Sequence, residues 1–414
     1  MQLTSFRMLA VLAGSGTAAL CALLMQLALL FYAPLADYGF FAFLQVVQGL
    51  LLGISSALFS APLLSRQNPP AGQAPVAIGS FILLQLLFVL AGGGLIWLLA
   101  SFYQMAPVTA FWLALATALQ LWRWFGRSLL QNSADSRALI RVDASFSLVA
   151  LCGTALLWGL QQISLQQLAL LNALAAFVSL VCAGAGFWRP HAQLWRQLDW
   201  SEWQQGYAQQ GKPALVGVCS GEAAANAHSY LITLLAGPAA FAPIAAAAML
   251  FRPCALLLTN FSQLARGQLL QAWQAGQVLP ALVRRYRWQT LWLWAANCVL
   301  VLLLLSLGAS QLEAWLADKA MPAEQFLLAV LLWAVLSFLR TWRSSATLQL
   351  QVQDQFAALA RTALWPALLS VALVALFLGC WSPVWSLVAV ILSELWMARL
   401  LALALRRVAA VQHG

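Results

Sequence analysis

The chain has 414 residues, 63% of them hydrophobic and only 8% charged, with a mean hydropathy of +0.84. An average soluble domain carries roughly 25% charged residues, so the composition excludes an ordinary soluble globular protein. The excess of 21 Lys and Arg over 11 Asp and Glu gives a net charge of +10, yet no basic run has the length or aromatic interleaving of a nucleic-acid groove.

A membrane span needs about 20 mostly apolar residues, and the sequence predicts twelve: 9–32, 40–64, 75–100, 107–126, 139–160, 165–187, 213–236, 240–263, 288–309, 324–342, 362–380 and 384–405. The first is interrupted by Gly14-Ser15-Gly16 and preceded only by Arg7. It is long and lacks a clear small-residue cleavage site, which reads as a retained helix and not as a signal peptide. The stretch 188–212 carries Trp195, Trp200 and Trp203 among polar residues. It predicts an interfacial linker helix on the cytoplasmic leaflet, where indole rings sit at headgroup depth. The longest outer loop is about 310–323.

Charge sets the orientation. With the N-terminus inside, all but two of the 21 basic residues fall at or near the cytoplasmic face; Lys319 lies in an outer loop and Arg252 inside a span. Alternation of this kind is the positive-inside pattern, and an even number of spans places both termini in the cytoplasm of a bacterial inner membrane. The fold class expected is therefore all-α and polytopic, with about twelve helices in two six-helix lobes, 1–187 and 213–414, joined by 188–212. Two echoes at equivalent points of the halves support a repeat. Pro34 in the first outer hairpin matches Pro238 in the first hairpin of the second half; Arg127-Ser128, Asp135 and Arg141 recur as Arg343-Ser344, Asp354 and Arg361. Both halves start inside, so the pseudo-twofold axis is expected along the membrane normal.

Polar residues at membrane depth are costly and are functional candidates. Arg252 lies about twelve residues into its span, or ~18 Å, close to the middle of a ~30 Å hydrocarbon core. Glu222 and His228 lie at similar depth in the preceding span. Two readings of Arg252 stand: an ion pair with Glu222, or an anchor for an anionic ligand. Arg123 and Arg127, flanked by Trp122 and Trp124, suit either a topology anchor or a vestibule for phosphate. Gln26 and Gln48 are candidate substrate contacts, and Gln45 and Gln85 are weaker ones; each also suits interhelical packing. Glu222, His228 and Glu394 are candidate coupling or ion-pair residues, with Arg399 the expected partner of Glu394 and Arg141 that of Asp143.

The seven cysteines, Cys21, Cys152, Cys182, Cys219, Cys254, Cys298 and Cys380, are scattered singly, so neither a disulfide framework nor a metal site is expected. There is no Walker A sequence, GxSxG or HExxH, and the first outer loop offers only Asp37 as an acidic candidate. No catalytic residue and no cofactor is expected.

Three segments carry a family resemblance: LLFYAPLADYGFFAFLQVVQGLLLGISSALFSAPLL with its Asp37-Tyr38-Gly39 turn, SYLITLLAGPAAFAPIAAAAMLFRP with Arg252-Pro253, and WRWFGRSLLQNSADSRALIRVD. With twelve spans in paired halves, the chain resembles the Wzx-type polysaccharide flippases of the multidrug, oligosaccharidyl-lipid and polysaccharide exporter superfamily. The resemblance implies a carrier that moves an undecaprenyl-diphosphate-linked oligosaccharide to the outer leaflet, with membrane lipids, a polysaccharide polymerase and other assembly proteins as partners. Where family members often have an acidic-basic pair before the second hairpin, this chain has Asn226, Ala227 and His228. A drug or small-molecule exporter of the same superfamily is the competing reading; a membrane glycosyltransferase or polymerase is the enzymatic one.

Overall fold

A computed structural model describes residues 2–66, 78–132, 136–192, 198–275, 279–353 and 355–413. Asp135, Trp195, Arg196 and Asp354 lie outside them. The described residues form helices and no strand, as a chain in hydrocarbon must if it is to satisfy its own backbone N–H and C=O groups without water.

Twelve helical elements occupy the twelve predicted spans. In the first half they are α1 (Gln2–Tyr32), α2 (Leu35–Ser55) continued by α3 (Ala61–Arg66), α4 (Gly79–Phe102), α5 (Pro107–Asn132), α6 (Ser136–Gly159) and α7 (Leu165–Val181). The short α8 (Ala185–Ala192) and α9 (Trp200–Gly206) follow. The second half comprises α10 (Lys212–Ala236), α11 (Pro238–Met249) with α12 (Arg252–Gln274), α13 (Pro280–Leu307), the short α14 (Ala309–Asp318), α15 (Ala323–Val352), α16 (Phe356–Cys380) and α17 (Ser386–His413). The chain is a polytopic membrane protein. Among the described residues, seven spans meet the length and hydropathy of a crossing on their own, and the bent pair α11–α12, taken as one span, makes an eighth.

The chain divides into two compact units, Met1–Ala33 with Leu44–Val218, and Pro34–Phe43 with Cys219–Gly414. The first packs around Phe59, Leu63, Phe81, Phe125, Leu130 and Phe187. The second has one cluster at Leu269, Val283, Tyr286 and Leu348 and another at Ala224, Leu350, Ala367, Met397 and Leu401.

Three features depart from the sequence expectation. The stretch 188–212, expected as one linker helix, holds the end of α8 and the whole of α9, and α9 runs through a π-helical turn, Tyr207–Gly211, straight into α10. Trp203 is turned inward: its Nε1 donates to the Leu58 carbonyl at 3.2 Å, inside a second π-helical turn, Ser56–Ser60, that joins α2 to α3. Such turns loosen the i→i−4 ladder, and the indole takes up a carbonyl there. The span expected over 240–263 is broken, with α11 and α12 bent by 59°. Pro253 causes this, since it supplies no N–H and its ring clashes with the carbonyl four residues back. The Leu250 carbonyl in the opened turn accepts instead from Asn297 Nδ2 of α13 at 3.2 Å, which is how a neighbouring helix makes a broken span tolerable in lipid.

Candidate functional site

The second unit concentrates charge where α15 meets α17. Arg340 and Arg343 stand one turn apart on α15, hence on one face, and both grip Glu394 of α17. Arg340 Nε donates to Glu394 Oε1 at 3.0 Å, and Arg343 Nε donates to Oε2 at 2.6 Å. Arg340 Nη2 also donates to the Ala225 carbonyl of α10 at 2.9 Å, and its guanidinium lies 5.6 Å from the Trp333 ring. One carboxylate against two guanidiniums leaves a net positive charge. The Glu394 side chain is 1% exposed, but the Arg340 and Arg343 side chains are 27% and 23% exposed. Glu394 takes these partners and not Arg399, which is exposed: a residue five positions on lies ~140° round the same helix.

His228 of α10 adjoins this cluster. It is fully buried, with its ring 5.8 Å from Trp333 of α15 and 6.3 Å from Phe241 of α11. Its Nε2 meets Ser229 Oγ at 3.2 Å, and Nδ1 has no hydrogen-bond partner among the described residues.

The first unit holds a sealed counterpart. Arg123 and Arg127 of α5 share Asp143 of α6: Arg123 Nη2 donates to Oδ1 at 2.8 Å and Arg127 Nη2 to Oδ2 at 2.9 Å. Arg123 Nε also donates to Ser179 Oγ at 3.0 Å, Ser179 donates to the Val142 carbonyl at 2.7 Å, and the Arg123 guanidinium covers the Phe146 ring at 4.1 Å. Side-chain exposures of 5%, 7% and 1% for Arg123, Arg127 and Asp143 leave no room for a ligand. The partner expected for Asp143 was Arg141, but residues two apart on a helix do not face each other.

The other candidates are dispersed. Glu222 accepts from Asn226 Nδ2 at 2.8 Å and Tyr230 OH at 3.0 Å, both on its own helix. Arg252 is the first residue of α12, at the break, half-buried and within electrostatic reach of Tyr38. Gln48 Nε2 donates to Thr117 Oγ1 at 2.6 Å; Gln85 accepts from Ser55 Oγ at 2.8 Å; Gln26 is buried and Gln45 half-buried. The described residues contain no cluster of His, Cys, Asp and Glu suited to a metal ion. Sequence reasoning missed Arg340 and Arg343 as a pair. The available signal was their placement on the fourth span of the second half, where the first half has Arg123 and Arg127.

No protein-family model matches the chain, and no curated protein does. Solved structures match over nearly its whole length. A multidrug-resistance MATE-family transporter of the MOP superfamily, in its inward-facing conformation, aligns with a TM-score of 0.65 at 12% identity over 96% of each chain. A transporter of that description in the outward-facing conformation aligns at 0.60 and 13%, over 98% of this chain and 95% of the other. A MOP-superfamily transporter from Pyrococcus furiosus, described as having a binding pocket of reverse polarity suggestive of a different function, aligns at 0.59 and 13%, over 98% and 95%.

Proposed function

With the fold of the multidrug, oligosaccharidyl-lipid and polysaccharide exporter superfamily as its scaffold, we propose that the chain is a secondary exporter of an amphipathic solute, neutral or anionic, working by alternating access. Neighbours in inward-facing and outward-facing conformations support the mode of action. The observation that carries the substrate charge is the Arg340–Arg343–Glu394 cluster, net positive and about one quarter exposed at its arginines. A cation would meet repulsion there, whereas a carboxylate, sulfonate or phosphate gains charge-assisted hydrogen bonds. In this reading Glu394 holds the two forks in place, and His228 and Glu222 are the candidates for coupling to an ion gradient. The protein sits in a bacterial inner membrane with its arginine-rich helix ends in the cytoplasm, and no catalytic residue is assigned.

A second reading is the flippase of a polyprenyl-diphosphate-linked oligosaccharide. The same cluster favours it, since a diphosphate suits a pair of guanidiniums, and the Asp37-Tyr38-Gly39 hairpin carries its resemblance. Arg252, at the break between α11 and α12, is then a further phosphate contact.

Arg340→Gln tests the shared premise. In proteoliposomes it is expected to lower transport of an anionic amphiphile about tenfold, the worth of one charge-assisted hydrogen bond of ~1.5 kcal/mol, while a neutral amphiphile of the same size changes less than about twofold by the same reasoning. Equal loss for both solutes would remove the cluster from substrate recognition.

A further inference from the structure

Between α12 and α13, and wholly within the second unit, lies a cleft of about 230 Å³. On α12 it is lined by Phe261, Leu264 and Gln268, at i, i+3 and i+7, so they share one helix face. On α13 it is lined by Leu282, Arg285 and Gln289, again on one face. Leu269 and Tyr286, 2% and 3% exposed, close its floor. Tyr286 is fixed there by hydrogen bonds with Ser262 at 2.6 Å and Ser344 at 3.4 Å.

α12 ends at Gln274 and α13 begins at Pro280, and the Ser262–Tyr286 hydrogen bond joins the two helices, so Gln268 and Arg285 stand near these ends while Phe261 and Gln289 stand further from them. The cleft therefore sets a guanidinium and two amides against an aromatic and aliphatic wall of Phe261, Leu264 and Leu282. Arg285, Gln268 and Gln289 are exposed, and Arg284 adds a second positive charge beside them. On the adjacent surface of α13, Trp288 and Trp292 are 59% and 71% exposed, as indoles are at a headgroup boundary.

We infer that this cleft binds the phosphodiester headgroup of an anionic diacyl phospholipid from the cytoplasmic leaflet. Arg285 faces the phosphate, Gln268 and Gln289 meet phosphate or glycerol oxygens, and one acyl chain lies along Phe261 and Leu264. Charge selects the occupant. A zwitterionic lipid presents its own cation to the arginines, whereas an anionic one leaves the phosphate for them, and basic pockets between helices at this face suit such headgroups. The inference rests on the inward orientation of the basic helix ends but on neither reading of the transported substrate.

The test is the thermal unfolding midpoint of the full-length protein in neutral detergent, titrated with phosphatidylglycerol, phosphatidylcholine or inorganic phosphate. Phosphatidylglycerol is expected to raise the midpoint saturably, with little effect of the other two. Arg285→Gln should weaken its apparent affinity about fivefold, the worth of one basic residue at an anionic surface. Leu264→Trp, which keeps every charge but fills the cleft, should abolish the saturable shift, and Arg406→Gln, at an exposed position of α17 outside the cleft lining, should leave it unchanged. Equal stabilisation by phosphatidylcholine would make the cleft a generic acyl groove, and equal stabilisation by inorganic phosphate would make it a free-anion site. Either result, or an unaltered shift in Leu264→Trp, overturns the proposal.

Discussion

Asp143→Ala is expected to strip the membrane of most of the folded protein. The substitution leaves Arg123 and Arg127 facing each other at exposures of 5% and 7% with no counter-ion, and breaking a buried pair from one side costs about 3 to 5 kcal/mol. Ser179 and the Phe146 ring hold Arg123 in place against a rotamer change. Asp143→Asn keeps the shape and loses the charge, so it should fall between the parent and the alanine variant. The triple change Arg123→Met, Arg127→Leu, Asp143→Leu should restore abundance, since a packed apolar cluster commonly equals a buried ion triad in stability. Membrane protein level and the fraction eluting as a monodisperse peak in detergent measure all three. Normal abundance of Asp143→Ala would mean that the guanidiniums have water, and would return Arg123 and Arg127 to the list of ligand contacts.

Gly39→Ala is expected to be as damaging, by sterics alone. Gly39 lies on the first turns of α2, the part grouped with the second unit, and a Cβ there would overlap the Pro238 carbonyl oxygen at the start of α11 while sitting 2.8 Å from its carbon and 3.2 Å from Ala242 Cβ. Helix backbone cannot yield as a side-chain end can, so the cost should exceed the roughly 1 to 3 kcal/mol of an ordinary overpacked core. Gly49, ten positions along α2, has nothing within 4 Å of an added Cβ. Gly49→Ala should be neutral or slightly stabilising through the ~1 kcal/mol better helix propensity of alanine. A midpoint for Gly39→Ala within about 1 °C of the parent, which is ~1 kcal/mol or less at this chain length, would show that α2 and α11 do not need this approach.

The spans were legible because hydrocarbon imposes one rule on every segment, and a run of apolar residues reports it without knowledge of neighbours. Boundaries were less so: α2 begins at Leu35, not near residue 40, because the apolar run understates a helix whose first turn holds Asp37 and Tyr38. The break at Arg252 was written in Pro253, but a proline inside an apolar run does not say whether the helix bends or ends. Which charges meet was harder still. Pairings along one helix follow from angle, and by that rule neither Asp143 with Arg141 nor Glu394 with Arg399 has the right spacing. Pairings between helices depend on packing that one sequence does not state, which is why Glu394 could be given to Arg340 and Arg343 only once α15 and α17 were placed together. Glu222 shows the remaining case: Asn226 and Tyr230, four and eight residues on, lie near the same helix face and satisfy it locally.

The most direct test of the proposed activity is flux through the purified protein in proteoliposomes, with an anionic, a neutral and a cationic amphiphile of matched size and with a polyprenyl-diphosphate-linked oligosaccharide. Gradient-dependent movement of the anionic and neutral amphiphiles with their covalent structure intact is expected, together with rejection of the cation. Movement of the lipid-linked oligosaccharide alone would replace the exporter by the flippase. Preferred transport of the cation, or a covalent change in any of the four, would contradict export of a neutral or anionic amphiphile by this protein.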